Sequence, residues 1–226
     1  MIRILILLFG LSCLLLADEQ SRQKVQVTNT QHLDLPPGGT VTFKNSTGEL
    51  TIEGWDQPGV EITTSKSTKT FYTSAEHEKG SRELEKVHVA AERHGDEVVI
   101  TTTAPHHGFP FPNDVDLDYV VKVPRAAHLA VKHGAGEVHF DNVTGDIHAT
   151  VRQGLITLHA PAGDQHAIDA KSGIGSVTSD FPGSTKRQWL MGHQFVETSQ
   201  TPHKLYLRNG FGDIILLKIH APEAPK

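Results

Sequence analysis

Apolar and polar residues alternate with period two along most of the chain. Beyond the first 17 residues no stretch repeats apolar positions at i, i+3, i+4 and i+7 for long. Alternation of this kind sends successive side chains to opposite sides of an extended backbone and predicts strands. The clearest runs are Thr40–Lys44, Glu49–Glu53, Val60–Ser65, Lys86–Ala91, Glu97–Thr103, Val115–Val123 and Leu129–Lys132. With 20 glycines and 12 prolines between them, the pattern predicts an all-β protein. One segment, Ala75–Glu85 (AEHEKGSRELE), has helical composition but carries Gly80 and almost no apolar face. It is expected to be a solvated loop or a short edge. Apolar positions at Val87, Val89, Val98 and Ile100 flank RHGDE and predict a hairpin turned at Gly95 and Asp96.

A second pattern lies over the first. Gly136, Gly145, Gly154 and Gly163 follow one another at nine-residue intervals, and Val138, Ile147 and Ile156 each stand two residues after a glycine. The phase slips and resumes at SGIGSVTSD (172–180) and NGFGDIILLK (209–218), which adds Gly175 and Gly212. Nine residues suit one short strand plus a tight turn, with glycine supplying the turn. A fixed short period predicts a β-solenoid or β-helix-like stack of short strands with glycine turns, preceded by a more irregular β region. An antiparallel meander with regular hairpins is the alternative. The loop APHHGFPFPN (104–113) separates the two sub-regions.

The N-terminus changes the compartment. In MIRILILLFGLSCLLLADEQ, Arg3 precedes an apolar run from Ile4 to Ala17, and Asp18 and Glu19 end it. Such a run is shorter than the ~20 residues of a membrane-spanning helix and predicts a signal peptide over residues 1–17. The expected plan is then a lead segment over 18–36, one β domain over 37–219 and a tail over 220–226. Cys13 is the only cysteine. GLSC faintly resembles a lipobox, so membrane attachment would come only through lipidation at Cys13. A chain cut after Ala17 contains no disulfide in an oxidising compartment. The expected location is periplasmic, cell-surface or secreted. Net charge is −5 and no basic run occurs in the mature part, which argues against nucleic acid as a partner.

With these residues in view the chain resembles the bacterial putative-adhesin family, whose pattern is a Val-Pro strand followed by repeated Gly-Asp-Ile-like turns. The likeness runs through YVVKVPRAAHLAVKHGAGEVHFDNVTGDIHATVRQGLITLHAPAG, SGIGSV and LYLRNGFGDIIL, and extends to STGELTIEGWD (46–56) with Trp55 in an aromatic slot. The resemblance implies a β-solenoid-like exported domain, related to adhesin head domains, with no established activity or cofactor. Its motifs specify fold rather than activity.

Fifteen histidines stand out. His139, His148 and His166 each sit three residues after a repeat glycine and are expected to point outward. If two nine-residue units form one coil, His148 and His166 stack on one outer face and His139 lies on the other, above Thr157. Imidazoles ~4.8 Å apart can share one zinc, yet structural zinc takes four protein ligands and catalytic zinc three. His148 and His166 are therefore candidates only for a surface divalent metal, and no cofactor is expected. His106 and His107 are adjacent on an extended chain and face opposite ways. Asp114, Asp116 and Asp118 put three carboxylates on one strand face, a candidate calcium row or a solvated face that discourages edge pairing.

No GxSxG, HExxH or mature-chain cysteine nucleophile occurs. The expectation is a non-catalytic exported interaction module whose partner is an envelope or surface protein or glycan. One alternative is a carbohydrate-active enzyme on a β-helix scaffold, using the Asp row with Lys122 or Arg125. Another is an accessory structural protein in envelope stress sensing.

Overall fold

The structure, a computed structural model, describes residues 22–105, 114–161, 166–187, 191–198, 201 and 203–219. The expected signal peptide, Cys13, residues 106–113 of the dividing loop, Gly163 and the 220–226 tail lie outside the described residues. The elements begin with β1 (Gln26–Leu33), β2 (Thr40–Trp55) and β3 (Val60–Thr68), followed by a 3₁₀ turn (Ser74–Glu76) and α1 (His77–Glu85). Next come β4 (His88–His94), β5 (Glu97–Thr103), β6 (Val115–Pro124), β7 (His128–Asp141) and β8 (Ile147–Pro161). The chain then forms β9 (Ala167–Ile174), β10 (Val177–Ser179), β11 (Ser184–Arg187), β12 (His193–Glu197), β13 (Lys204–Phe211) and β14 (Ile214–Ile219).

The described residues are nearly all β, in one large mixed sheet that does not close. Its main path runs β1-β3-β6-β2-β7-β8-β13-β9-β12-β11. The long strands β2, β7 and β8 are parallel neighbours, each with a first and a second half. β5 pairs with the first half of β2 and β6 with its second half. β8 meets β13 with its first half and β14 with its second. Between β7 and β8 every described pair from Leu129↔Ile147 to Asp141↔His159 is offset by 18 residues. Alternation within each half then buries every second side chain. Phe43, Val131 and Ala149 from first halves join Leu50, Ile52, Phe140 and Leu158 from second halves in a single core. Burying each larger apolar side chain contributes about 1.5–3 kcal/mol.

The repeat glycines divide into two kinds. Gly136 and Gly154 sit inside β7 and β8, where the halves join, rather than in turns between strands. Together with Gly48, Gly212 and Gly175 they form a column, all at positive φ. A Cβ on Gly136 would overlap the carbonyl oxygen of Gly48, one on Gly154 that of Gly136, one on Gly212 that of Gly154, and one on Gly175 that of Gly212. Neighbouring strands approach through bare backbone, which only glycine permits in this conformation. Gly145 is different: it lies in the connection between β7 and β8, where a Cβ would run into the Ala127 carbonyl. The nine-residue beat therefore alternates an in-strand bend with an inter-strand connection.

Two local readings need correction or extension. Residues 75–85, expected as loop or edge, belong to the 3₁₀ turn and α1. A capping box between Thr73 and Glu76 starts the segment. Gly80 lets the helix lie close to Val25 and Tyr72, Leu84 is buried, and Lys66 Nζ donates to the Leu84 and Val87 carbonyls at its end. The helix is held by these contacts, which its own composition does not reveal. The runs 40–44 and 49–53 are one bent strand, with the irregularity falling between Phe43 and Gly48.

Candidate functional site

Because each buried row has exposed neighbours, the sheet carries two outer faces made of cross-strand rows. The row through the first halves runs Ala90, Thr101, Lys44 along β4, β5 and β2. Lys132 follows on β7, one residue past the Phe43↔Val131 pair. The row then continues Thr150, Arg208, Lys171, Gln194, Lys186 across β8, β13, β9, β12 and β11. It holds five cations and no carboxylate.

The second halves present the opposite sign. Asp118, Glu49 and Glu137 are consecutive partners across β6, β2 and β7. Four residues further along, Glu61, Lys122, Glu53, Asp141 and His159 form another row. Lys122 Nζ lies 2.9 Å from Glu61 Oε1, which holds the carboxylate below its usual range and raises the lysine. His159 Nδ1 is 2.5 Å from Asp141 Oδ1 and His139 Nε2 is 3.2 Å from Glu137 Oε2. The strand spacing of ~4.8 Å keeps like charges in the Asp118–Glu49–Glu137 row close enough to repel, an arrangement that destabilises neighbouring strands modestly.

The candidate metal ligands separate. His139 does stand opposite Thr157. His148, however, is exposed and packs against Tyr206, with ring centroids 4.5 Å apart, whereas His166 is buried before β9 with its ring 6.1 Å from that of His203. They do not stack, because β13 is inserted between β8 and β9 and takes the place that an 18-residue period assigns to β9. Asp116 pairs with Lys24 (3.3 Å) and Lys69 (3.8 Å). Asp118 belongs to the cross-strand acidic row, and Asp114 precedes β6, its carbonyl accepting from Lys69 N–H. Among the described residues no group of three or more His, Cys, Asp or Glu has the geometry to hold a metal ion.

The residues of the enzyme alternative do not converge either. Lys122 faces Glu61, and Arg125 makes a two-pronged contact with Asp56 (2.6 and 3.1 Å). A polar groove of about 550 Å³ lies around Trp55, His32, Glu61, Arg93 and Lys122, and no residue of the Asp row lines it. Lys122 Nζ sits 5.6 Å from the centre of the Trp55 ring, whose Nε1 donates to the Gly59 carbonyl. No described helix is long and apolar enough to cross a membrane.

No protein-family model matches the chain, and no curated protein matches it. Among solved structures it is similar to a putative cell adhesion protein from Clostridium sporogenes: 12% identity, 84% of this chain and 99% of that one, TM-score 0.48. A putative adhesin from Bacteroides fragilis shows 9% identity over 84% of this chain and 97% of that one, TM-score 0.23. One from Parabacteroides merdae shows 5% identity over 85% and 79%, TM-score 0.19. Likenesses this loose carry no weight for function.

Sequence reasoning missed the basic row entirely. Its cations come from five strands at irregular intervals along the chain, so no basic run precedes the fold. The usable signal is parity: Lys44, Lys132, Lys171 and Arg208 each stand one residue from a buried apolar position in their strand, Phe43, Val131, Ala170 and Leu207.

Proposed function

We propose that the chain is an exported, non-catalytic interaction module of adhesin-like type, built as a short β-solenoid and working through its outer faces. The observation that carries this reading is a long basic cross-strand row on one face, with a shorter acidic row of Asp118, Glu49 and Glu137 on the other. The constant 18-residue offset between β7 and β8 and the glycine column support the solenoid. A stack of this kind offers extended, regularly spaced side chains to a long partner rather than a cleft to a small one. Export rests on the N-terminal sequence, and the partner is an envelope or surface protein or glycan.

The test uses purified protein beginning at Asp18, mixed with intact bacteria and with isolated envelope polysaccharide. Retention on cells without release of reducing sugar ends supports the module. Steady release of reducing ends replaces it with the carbohydrate-active enzyme.

A further inference from the structure

We propose that the basic row on the first outer face is a binding track for a linear acidic polysaccharide, a chain of sugars bearing carboxylate or sulfate groups. This rests on the interaction-module reading and names what one of its faces takes. The track extends from Lys44 through Lys132, Thr150, Arg208, Lys171 and Gln194 to Lys186. At ~4.8 Å per strand it is a straight line of roughly 30 Å. No carboxylate interrupts it, although acidic residues outnumber basic ones in the chain, 26 to 21.

The individual groups suit a sugar chain. Lys44, Lys132 and Lys186 are exposed and form no ion pair with a described residue. Arg208 is committed, donating to Asp169 Oδ2 (2.6 Å) and to the Asp169 and Leu207 carbonyls, and it holds the line straight between Lys132 and Lys171. Thr150 places an exposed hydroxyl between cations. In the adjacent row Tyr206 is 38% exposed, with His148 against one side and the Arg208 guanidinium 3.6 Å from its ring centre. The exposed edge of Tyr206 borders the polar line, where it can touch a sugar while the cations hold its anionic groups.

The neighbouring row selects among polyanions. It contains Glu92 at one end and Asp169 near the other, each one row from the lysines. A duplex or a bilayer is wide enough to cover both rows and would press phosphates against these carboxylates. A single-file chain lies on the lysines alone. A pyranose unit is about as long as one strand spacing, so a charge on every sugar, or on every second one, meets the cations in register.

The experiment measures binding of the Asp18-start protein to polygalacturonate and chondroitin sulfate at about 50 mM salt, where surface charges are weakly screened. Dextran serves as the neutral control and poly(dT) as the competing polyanion. Expected is binding to at least one acidic glycan and none to dextran. K132E/K171E should weaken it by roughly tenfold or more, whereas E49K/E137K on the opposite face costs no affinity. Melting curves show that each variant is folded. Unchanged affinity in K132E/K171E overturns the proposal, and so does tighter poly(dT) binding through the same lysines. Absence of any polyanion binding, with the protein still retained on cells, overturns the track while leaving the interaction module standing.

Discussion

The bend between strand halves and the outer faces are both built as columns of side chains crossing the same strands, yet they are held in opposite ways. At the bend, Ser46, His133, Val151, Asn209 and Ser172 are successive partners on the inner side. Their polar atoms hold the backbone: Asn209 Nδ2 donates to the Gly154 and Asp213 carbonyls (2.7 and 3.1 Å) and Ser172 Oγ to that of Gly212 (2.7 Å). On the faces, ion pairs are few and exposed, so each contributes little. One set of columns fixes the stack and tolerates almost no substitution. The other leaves stability nearly untouched and is open to be shaped by a partner.

The largest break in this contrast is Gly154→Ala. The φ of +140 is unfavourable for any L side chain, and the added methyl overlaps the backbone of Gly136, its carbonyl first. The expected loss is about 4 kcal/mol or more, a large fraction of the roughly 5–15 kcal/mol that stabilises a typical domain, and denaturant unfolding measures it. A variant as stable as the parent would show that the column is not what sets the distance between neighbouring strands.

A second break acts through pH. Burial pushes the His133 ring down to about 4, while the carbonyls of Ala135 and Gly48 pull the other way, and Ser46 Oγ lies 3.0 Å from Nδ1. The unfolded chain binds the proton at higher pH than the folded one. Stability due to the neutral ring is therefore full above about 6.5 and is lost as pH falls from there toward 4, about 3 kcal/mol in all. Urea midpoints at pH 7 and pH 4.5 should separate by less in His133→Gln than in the parent. Equal separations would show that groups other than His133 carry the acid sensitivity.

The difference between the columns also explains what was legible in the sequence. Alternation gave the strands, and the RHGDE hairpin forms with Gly95 at φ +63. The nine-residue glycines marked real positions, but sequence spacing cannot separate a bend inside a strand from a connection between strands, so Gly136 and Gly154 read as turns. The period included NGFGDIILLK but not its place in the strand order, where β13 and β14 return from the end of the chain to pair with β8. That long-range insertion put His166 beside His203 and dissolved the expected pair with His148. The Asp114–Asp118 run drew attention along one strand, while the charged rows run across strands, where sequence neighbours are absent.

A milder break compares two glycines at positive φ. Gly95, at +63, lies in the left-handed region, and nothing lies within 4 Å of where its Cβ would be. Gly95→Ala should cost only the backbone strain, about 1 kcal/mol. A loss as large as that of Gly154→Ala would mean that a positive φ is costly here without the close approach of a neighbouring strand.

The smallest effect on folding is expected where the effect on binding is largest. In K132E/K171E, Lys132 is exposed with no described ion pair, and Lys171 borders Asp169, which Arg208 and Gln194 already engage. The melting temperature should therefore move by no more than about 2 °C. Glutamate at 171 stands two residues from Asp169 on the same strand face, so any shift should be downward and should shrink with added salt. A drop as large as that of a glycine-column variant would place the row among the parts that hold the stack together. The face would then be structural, and its cations would owe their alignment to folding rather than to a partner.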